Sequence, residues 1–163
     1  MAVDLGQIIP PLVRAKVDFI LIGGMAAILH GSARVTFDVD LVYSRTHENI
    51  ARIAAALAPY RPYARDAPPN LPFTWDVQTI RNGLNFTLTT RVGDIDLFGE
   101  VASGETYKDL LVHSFDIDVF GVRFKCVDLP TLIRIKEAAG RRKDREAIAE
   151  LRVLLEESEK KQV

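Results

Sequence analysis

Gly23-Gly24-Met25-Ala26-Ala27-Ile28-Leu29-His30-Gly31-Ser32-Ala33-Arg34-Val35-Thr36-Phe37-Asp38-Val39-Asp40-Leu41 is the stretch whose reading decides the fold. The apolar run before it, Val17 to Ile22, reads as a buried strand ending at a glycine pair. Met25 to His30 is short and Ala-rich, which predicts a helix, and Gly31 suits the left-handed residue that ends one. Phe37 to Tyr43 alternates Phe, Asp, Val, Asp, Leu, Val, Tyr and predicts a second strand. A helix that starts at glycines offers bare N–H groups and the positive end of its dipole to an anion. Glycine also lets a phosphate approach the backbone closely. Asp38 and Asp40, two apart on a strand, share one face about 6.6 Å apart along the chain. Such a pair can converge on two divalent ions about 3.5–4 Å apart. Glycines and carboxylates together describe a site for a nucleoside triphosphate and Mg²⁺, or Mn²⁺ in its place.

Asp94-Ile95-Asp96 and Asp116-Ile117-Asp118 repeat the carboxylate–apolar–carboxylate pattern. Alternation of this kind is what any half-solvated strand shows, so the pattern does not single out a metal site. Asp116 and Asp118 sit in a predicted hairpin with no phosphate-binding element beside them, and read as its solvent face. Asp38 and Asp40 stand apart because of the glycines before them. A third acidic position at Asp94 or Asp96 would complete their site.

The remaining sequence sets bounds. The chain has 163 residues, 48% hydrophobic and 26% charged, within the ordinary range for one globular domain. A formal net charge of −1 gives no bulk attraction to nucleic acid or to an anionic membrane. A single cysteine, Cys126, excludes an internal disulfide and fits a reducing compartment. The longest apolar run, Phe19 to Leu29, is too short to cross a bilayer, and Met1-Ala2-Val3-Asp4 lacks the look of a signal peptide. A cytoplasmic location without membrane partners is the expectation.

Around the deciding stretch, residues 4–16 predict a helix capped by Asp4, kinked or restarted at Pro10-Pro11. Thr46 caps a helix over residues 47–58, and residues 59–74, with five prolines, form an irregular surface segment. A short helix follows near Trp75 to Ile80, then strands over Leu84–Thr90 and Val92–Glu100, and a helical turn over Tyr107–Val112. Phe115–Phe120 and Val122–Val127 predict a hairpin through Gly121. Asp128-Leu129-Pro130 starts a helix that Gly140 stops, and Asp144 caps a last helix whose charged tail from Glu156 frays. This predicts an α/β (α+β) chain: residues 1–127 form a mixed sheet flanked by helices, and residues 128–163 a helical cap packed on it as part of one structural domain.

The order of these motifs resembles the DNA polymerase beta superfamily of nucleotidyltransferases. It is most similar to the AbiEii-like and minimal members of toxin–antitoxin and abortive-infection systems. The resemblance rests on Gly-Gly…His-Gly…Arg-x-Thr-x-Asp-x-Asp-Leu from Gly23 to Leu41, on Gly93-Asp94-Ile95-Asp96-Leu97, and on Lys136 followed by Ala138-Ala139-Gly140-Arg141-Arg142-Lys143-Asp144. It implies a nucleotidyltransferase-type sheet with phosphate contacts at Gly23 and Gly24. It also implies metal ligation and catalysis by Asp38, Asp40 and Asp96, with Asp94 as the alternative third carboxylate. The implied reaction moves a nucleoside monophosphate from an NTP to a hydroxyl on tRNA, protein or a small molecule, with a cognate toxin or antitoxin as partner. Many minimal members have Gly-Ser at Gly23-Gly24 and Ser at Phe37, so this chain lacks a hydroxyl that could touch phosphate. Other classes compatible with the residues are an inactive nucleotide- or partner-binding module of this fold and a metal-dependent phosphoesterase.

Arg34 and Thr36 flank the Asp38 strand, placed to reach phosphate or to fix a carboxylate. Lys136, Arg141, Arg142 and Lys143 form the one marked basic cluster, and the resemblance puts Lys136 on the nucleotide. Ser32 reads as closing the turn after Gly31, and His30 as a packed or capping residue. Tyr60, Tyr63, Phe73 and Trp75 read as aromatic anchors of the proline-rich segment rather than base platforms.

Overall fold

The apolar run after Val17 becomes Phe19–Ile22 (β1), buried along its whole length. The computed structural model describes residues 3–162; Met1 and Ala2 of the Met1-Ala2-Val3-Asp4 start and Val163 of the charged tail lie outside them. Preceding β1 is Leu5–Arg14 (α1), and following it are Gly23–Leu29 (α2), Asp38–Tyr43 (β2), His47–Leu57 (α3), Tyr63–Ala64 (β3) and Val77–Asn82 (α4). Next come Asn85–Thr90 (β4), Gly93–Phe98 (β5), Tyr107–Leu110 (α5), Ser114–Val119 (β6) and Val122–Val127 (β7). Leu129–Ala139 (α6) and Arg145–Lys160 (α7) complete the described chain, which is the expected mixed α/β architecture.

The strands form one sheet in the order β3-β4-β5-β2-β1-β7-β6. β1 and β2 are antiparallel, whereas β2 pairs parallel with β5 and β1 parallel with β7. The central strands carry the core: Ile20, Leu21, Val39, Leu41, Ile95 and Leu97 are buried, packed with Ile8, Ile9 and Leu12 of α1 and Ile53 and Leu57 of α3. Buried Asn49 ties α3 to the sheet, accepting from the Asp18 N–H at 2.7 Å and donating to the Asp18 and Ser44 carbonyls. No described helix is long and apolar enough to cross a membrane.

Four expectations need correcting. α1 does not restart at Pro10 and Pro11 but continues through them as one helix, because the face carrying Leu5, Ile8, Ile9, Pro10 and Leu12 is buried. Burying each large apolar side chain is worth about 1.5–3 kcal/mol, enough to offset the lost backbone bonds. Residues 59–74 are not wholly irregular, since Tyr63 and Ala64 pair with Thr89 and Leu88 as an edge strand. Asp144 is no side-chain cap: it is buried and its carboxylate accepts from Arg141 Nε at 2.7 Å. The charged tail expected to fray from Glu156 is helical as far as Lys160, and Glu156/Lys160 and Glu157/Lys161 have the spacing and polarity that support a helix.

Candidate active site

Parallel pairing of β2 with β5 sets Asp38 opposite Asp94 and Asp40 opposite Asp96. Carboxylate oxygens of Asp38, Asp40 and Asp96 lie within 4.8 Å of one another, the one such acidic or metal-ligating group among the described residues. Asp94 is outside it, its Oδ2 lying 3.3 Å from Arg65 Nε. Geometry thus gathers the expected trio and sets the alternative third carboxylate aside.

The expected glycines start α2, and each admits a side chain of the site. Gly23 has φ +70°, and a Cβ there would fall 2.0 Å from Asp40 Oδ2. A Cβ on Gly24 would fall 2.7 Å from Thr36 Oγ1. The Thr36 hydroxyl donates to Asp38 Oδ1 at 3.2 Å. Close approach of Asp40 and Thr36 therefore requires both glycines, whatever else they touch.

Asp38, Asp40 and Asp96 form part of the wall of a cleft of about 400 Å³. Gly24, Arg34, Thr36 and Lys136 line it too, so every expected site residue except Gly23 is there. Arg34 is largely exposed and pairs with Glu146 at 3.7 Å. Arg141 and Lys143 add positive charge from the turn between α6 and α7, while Arg142 is not in the lining. The loop before β2 is strapped to α7 through Glu150, which accepts from Ser32 Oγ at 2.5 Å and from the Ala33 N–H at 3.1 Å.

Three carboxylates this close repel one another, and burial penalises their charge further. Burial first, then the charges of Asp38 and Asp96, push the Asp40 carboxyl up to about 8, against the pull of Lys136. Asp96 is also raised, by burial above all, although Arg65 opposes the shift. Asp40 Oδ1 is buried and has no hydrogen-bond partner. A buried orphan oxygen among clustered carboxylates fits a divalent cation, and an all-oxygen donor set fits Mg²⁺ or Mn²⁺.

Arg65 is the residue that sequence reasoning missed. Its Nη2 donates to Asp96 Oδ1 at 2.7 Å and to the Leu88 carbonyl at 2.7 Å. One guanidinium thus bridges Asp94 and Asp96 and holds Asp96 toward the other two acids. The Asp94-Ile95-Asp96 pair hinted that a cation was needed, but no spacing rule points back to Arg65 across a proline-rich loop. With Asp96 as a metal ligand, as the resemblance implies, Arg65→Gln should lower turnover about 10–100-fold, the effect of losing an outer partner of a ligand. Freed of its counter-charge, Asp96 should titrate higher, so the loss is larger at pH 6.5 than at pH 9. A uniform loss across that range would count against this role.

The other candidates read as structural. His30 pairs through Nε2 with the Val127 carbonyl at 2.8 Å. Asp116 and Asp118 pair with Lys125 and Arg123 on the outer hairpin. Trp75 donates from Nε1 to the Ala54 carbonyl at 3.2 Å and Tyr63 meets Phe73 edge-on, so the aromatics do anchor the loop.

No family model and no curated protein matches the chain. Among solved structures it is similar to the lincosamide antibiotic adenylyltransferase LnuA in its lincomycin-bound form, with a TM-score of 0.60 and 14% identity over 92% of this chain and 95% of that one. It is also similar to a Thermotoga maritima protein classed as a nucleotidyltransferase, with a TM-score of 0.55 and 15% identity over 93% of this chain and 92% of that one. The fold is that of nucleotidyltransferases. Identities this low speak for the fold alone.

Proposed function

We propose that this chain is a divalent-metal-dependent nucleotidyltransferase that moves a nucleoside monophosphate from an NTP to an acceptor hydroxyl. The observation that carries the reading is the convergence of Asp38, Asp40 and Asp96 around a buried, partnerless Asp40 oxygen in the wall of a cleft edged by cations. Asp38, Asp40 and Asp96 would hold Mg²⁺ or Mn²⁺, which neutralises charge on the triphosphate and on the leaving pyrophosphate. Lys136, with Arg34 at the rim, attracts the phosphates, Gly24 presents the backbone of the α2 start to them, and Gly23 makes room for Asp40. Thr36 holds Asp38 in place. The acceptor oxygen attacks the α-phosphorus and forms a new O–P bond. The bond from that phosphorus to its bridging oxygen breaks, pyrophosphate leaves with the electron pair, and the hydroxyl proton passes to Asp96. Such chemistry needs positioning and charge neutralisation more than covalent help, which is what these side chains offer. Support also comes from the similar structures, one of them an adenylyltransferase for a lincosamide antibiotic.

The test is transfer from α-labelled ATP, GTP, CTP and UTP with Mg²⁺, offered tRNA, lysate protein and a panel of small alcohols. Label should move to one of them and be lost, by about 10³-fold or more, in Asp38→Ala. Transfer that survives Asp38→Ala would refute the assignment. The sequence motifs further favour the AbiEii-like branch and hence a cognate toxin or antitoxin partner, which co-purification with the products of adjoining genes would test.

A further inference from the structure

A second cavity, of about 200 Å³, meets the carboxylate cleft at its wall. Asp40, Phe98, Lys136 and Arg141 line both spaces. Beyond them the second cavity is mostly carbon: Ile22 from β1, Val101 and Ala102 after β5, and Leu132, Ile135 and Ala139 along one side of α6, with the Gly23 backbone at the start of α2 as its one further polar edge. The two spaces differ in character. The cleft carries Arg34, Lys143 and the full acidic trio, whereas the second cavity has no charged side chain except those at the shared wall.

A triphosphate belongs in the charged cleft, since burying phosphate oxygens against carbon would leave them without partners. An RNA acceptor fits the second cavity no better, because it lacks the track of cations and stacking aromatics that single strands need. Its volume is below the range of about 300–1,000 Å³ for sites that enclose a drug-sized ligand, so it suits one ring or a short alkyl arm. Asp40 is what connects the cavity to chemistry, for a group seated there lies beside the carboxylates.

We infer that this cavity seats the apolar body of a small-molecule acceptor, with its hydroxyl turned toward Asp40 and Asp96. The inference rests on the nucleotidyltransferase reading and narrows its acceptor from tRNA, protein or small molecule to a small alcohol with an apolar ring or arm. The only side chains of the cavity that could pair with a nucleobase edge, Asp40, Lys136 and Arg141, stand at the wall shared with the cleft.

Saturation-transfer NMR with 2-phenylethanol as probe and glycerol as polar control tests this, alongside calorimetry of α,β-methylene-ATP with Mg²⁺. Ala102→Trp and Ala139→Trp fill the cavity from exposed positions where the larger side chain need not disturb the core. Saturation of 2-phenylethanol, but not glycerol, is expected on the wild type, and it should persist when α,β-methylene-ATP is added. Both variants should lose at least two thirds of that signal while binding α,β-methylene-ATP within threefold of the wild type. Absence of 2-phenylethanol saturation, or equal saturation of glycerol, overturns the inference. So does displacement of 2-phenylethanol by the nucleotide, or nucleotide binding weakened more than tenfold in the variants, since the cavity would then hold the base. If the wild type binds 2-phenylethanol but no α,β-methylene-ATP, the nucleotide reading fails and an apolar-ligand pocket stands.

Discussion

Asp40→Asn should lose nucleotidyl transfer by about 10³-fold or more and yet, without metal at pH 8.5, melt at a higher temperature than the wild type. The two effects share one cause. Burial, then Asp38 and Asp96, raise the Asp40 carboxyl from its ordinary range to about 8. The folded protein therefore keeps a proton that the unfolded chain sheds near pH 4. The contribution of Asp40 to stability is full below that pH and is lost as pH rises through 8, because at this site the folded state binds more protons than the unfolded one. In EDTA the melting temperature of the wild type should fall between pH 5 and pH 8.5. Asp40→Asn, with no proton to release, should flatten most of that slope, with a remainder from Asp96, which is raised in the same direction. Mg²⁺ should raise the wild-type melting temperature at pH 8.5 by binding the folded state, and do so weakly or not at all for Asp40→Asn. A wild type that is equally stable at pH 5 and pH 8.5 in EDTA would show that the carboxylates are not buried together as described.

Gly23→Ala should damage both folding and activity, by an amount that depends on Asp40. The left-handed backbone at φ +70° costs a non-glycine residue about 1–3 kcal/mol by itself. The added Cβ would also stand 2.0 Å from Asp40 Oδ2 and 2.7 Å from Asp40 Cγ, contacts no relaxed structure tolerates. A loss of about 3–5 kcal/mol is expected, the range that marks a specific steric or backbone fault. Chemical denaturation should show coupling to the acid: Gly23→Ala should cost about 1–2 kcal/mol less in an Asp40→Ala background, where the two closest contacts are gone. Equal costs in both backgrounds would mean that Gly23 serves the backbone turn alone, with no part in seating Asp40.

The strand before Gly23 was legible as an apolar run, the short helix after it as an Ala-rich stretch, and the Asp38-Val39-Asp40 strand as an alternation of period 2, all of them local signals. Thr46 was legible as a cap for the same reason, its side chain meeting the Asn49 N–H three residues on. The glycine pair was read for a phosphate, and its steric duty to Asp40 and Thr36 could not be seen. That duty depends on a loop returning across α2, which no short window contains. Asp144 misled because an acid before an apolar stripe looks like a cap, yet in the fold it is buried against Arg141. Pro10 and Pro11 misled in the opposite way, through a local rule that core burial outweighs.

The sequence by itself determined the elements other than the edge strand β3, the acidic pairs on single strand faces and the likeness of their order to nucleotidyltransferases. Only the tertiary structure decided which pairs meet. Three pairs look alike in sequence, but parallel β2 and β5 bring Asp40 level with Asp96, while Arg65 draws Asp94 aside and the outer hairpin keeps Asp116 and Asp118 in solvent. Strand order and register arise from long-range pairing and shared burial, and side-chain periodicity along one strand carries no record of its neighbour.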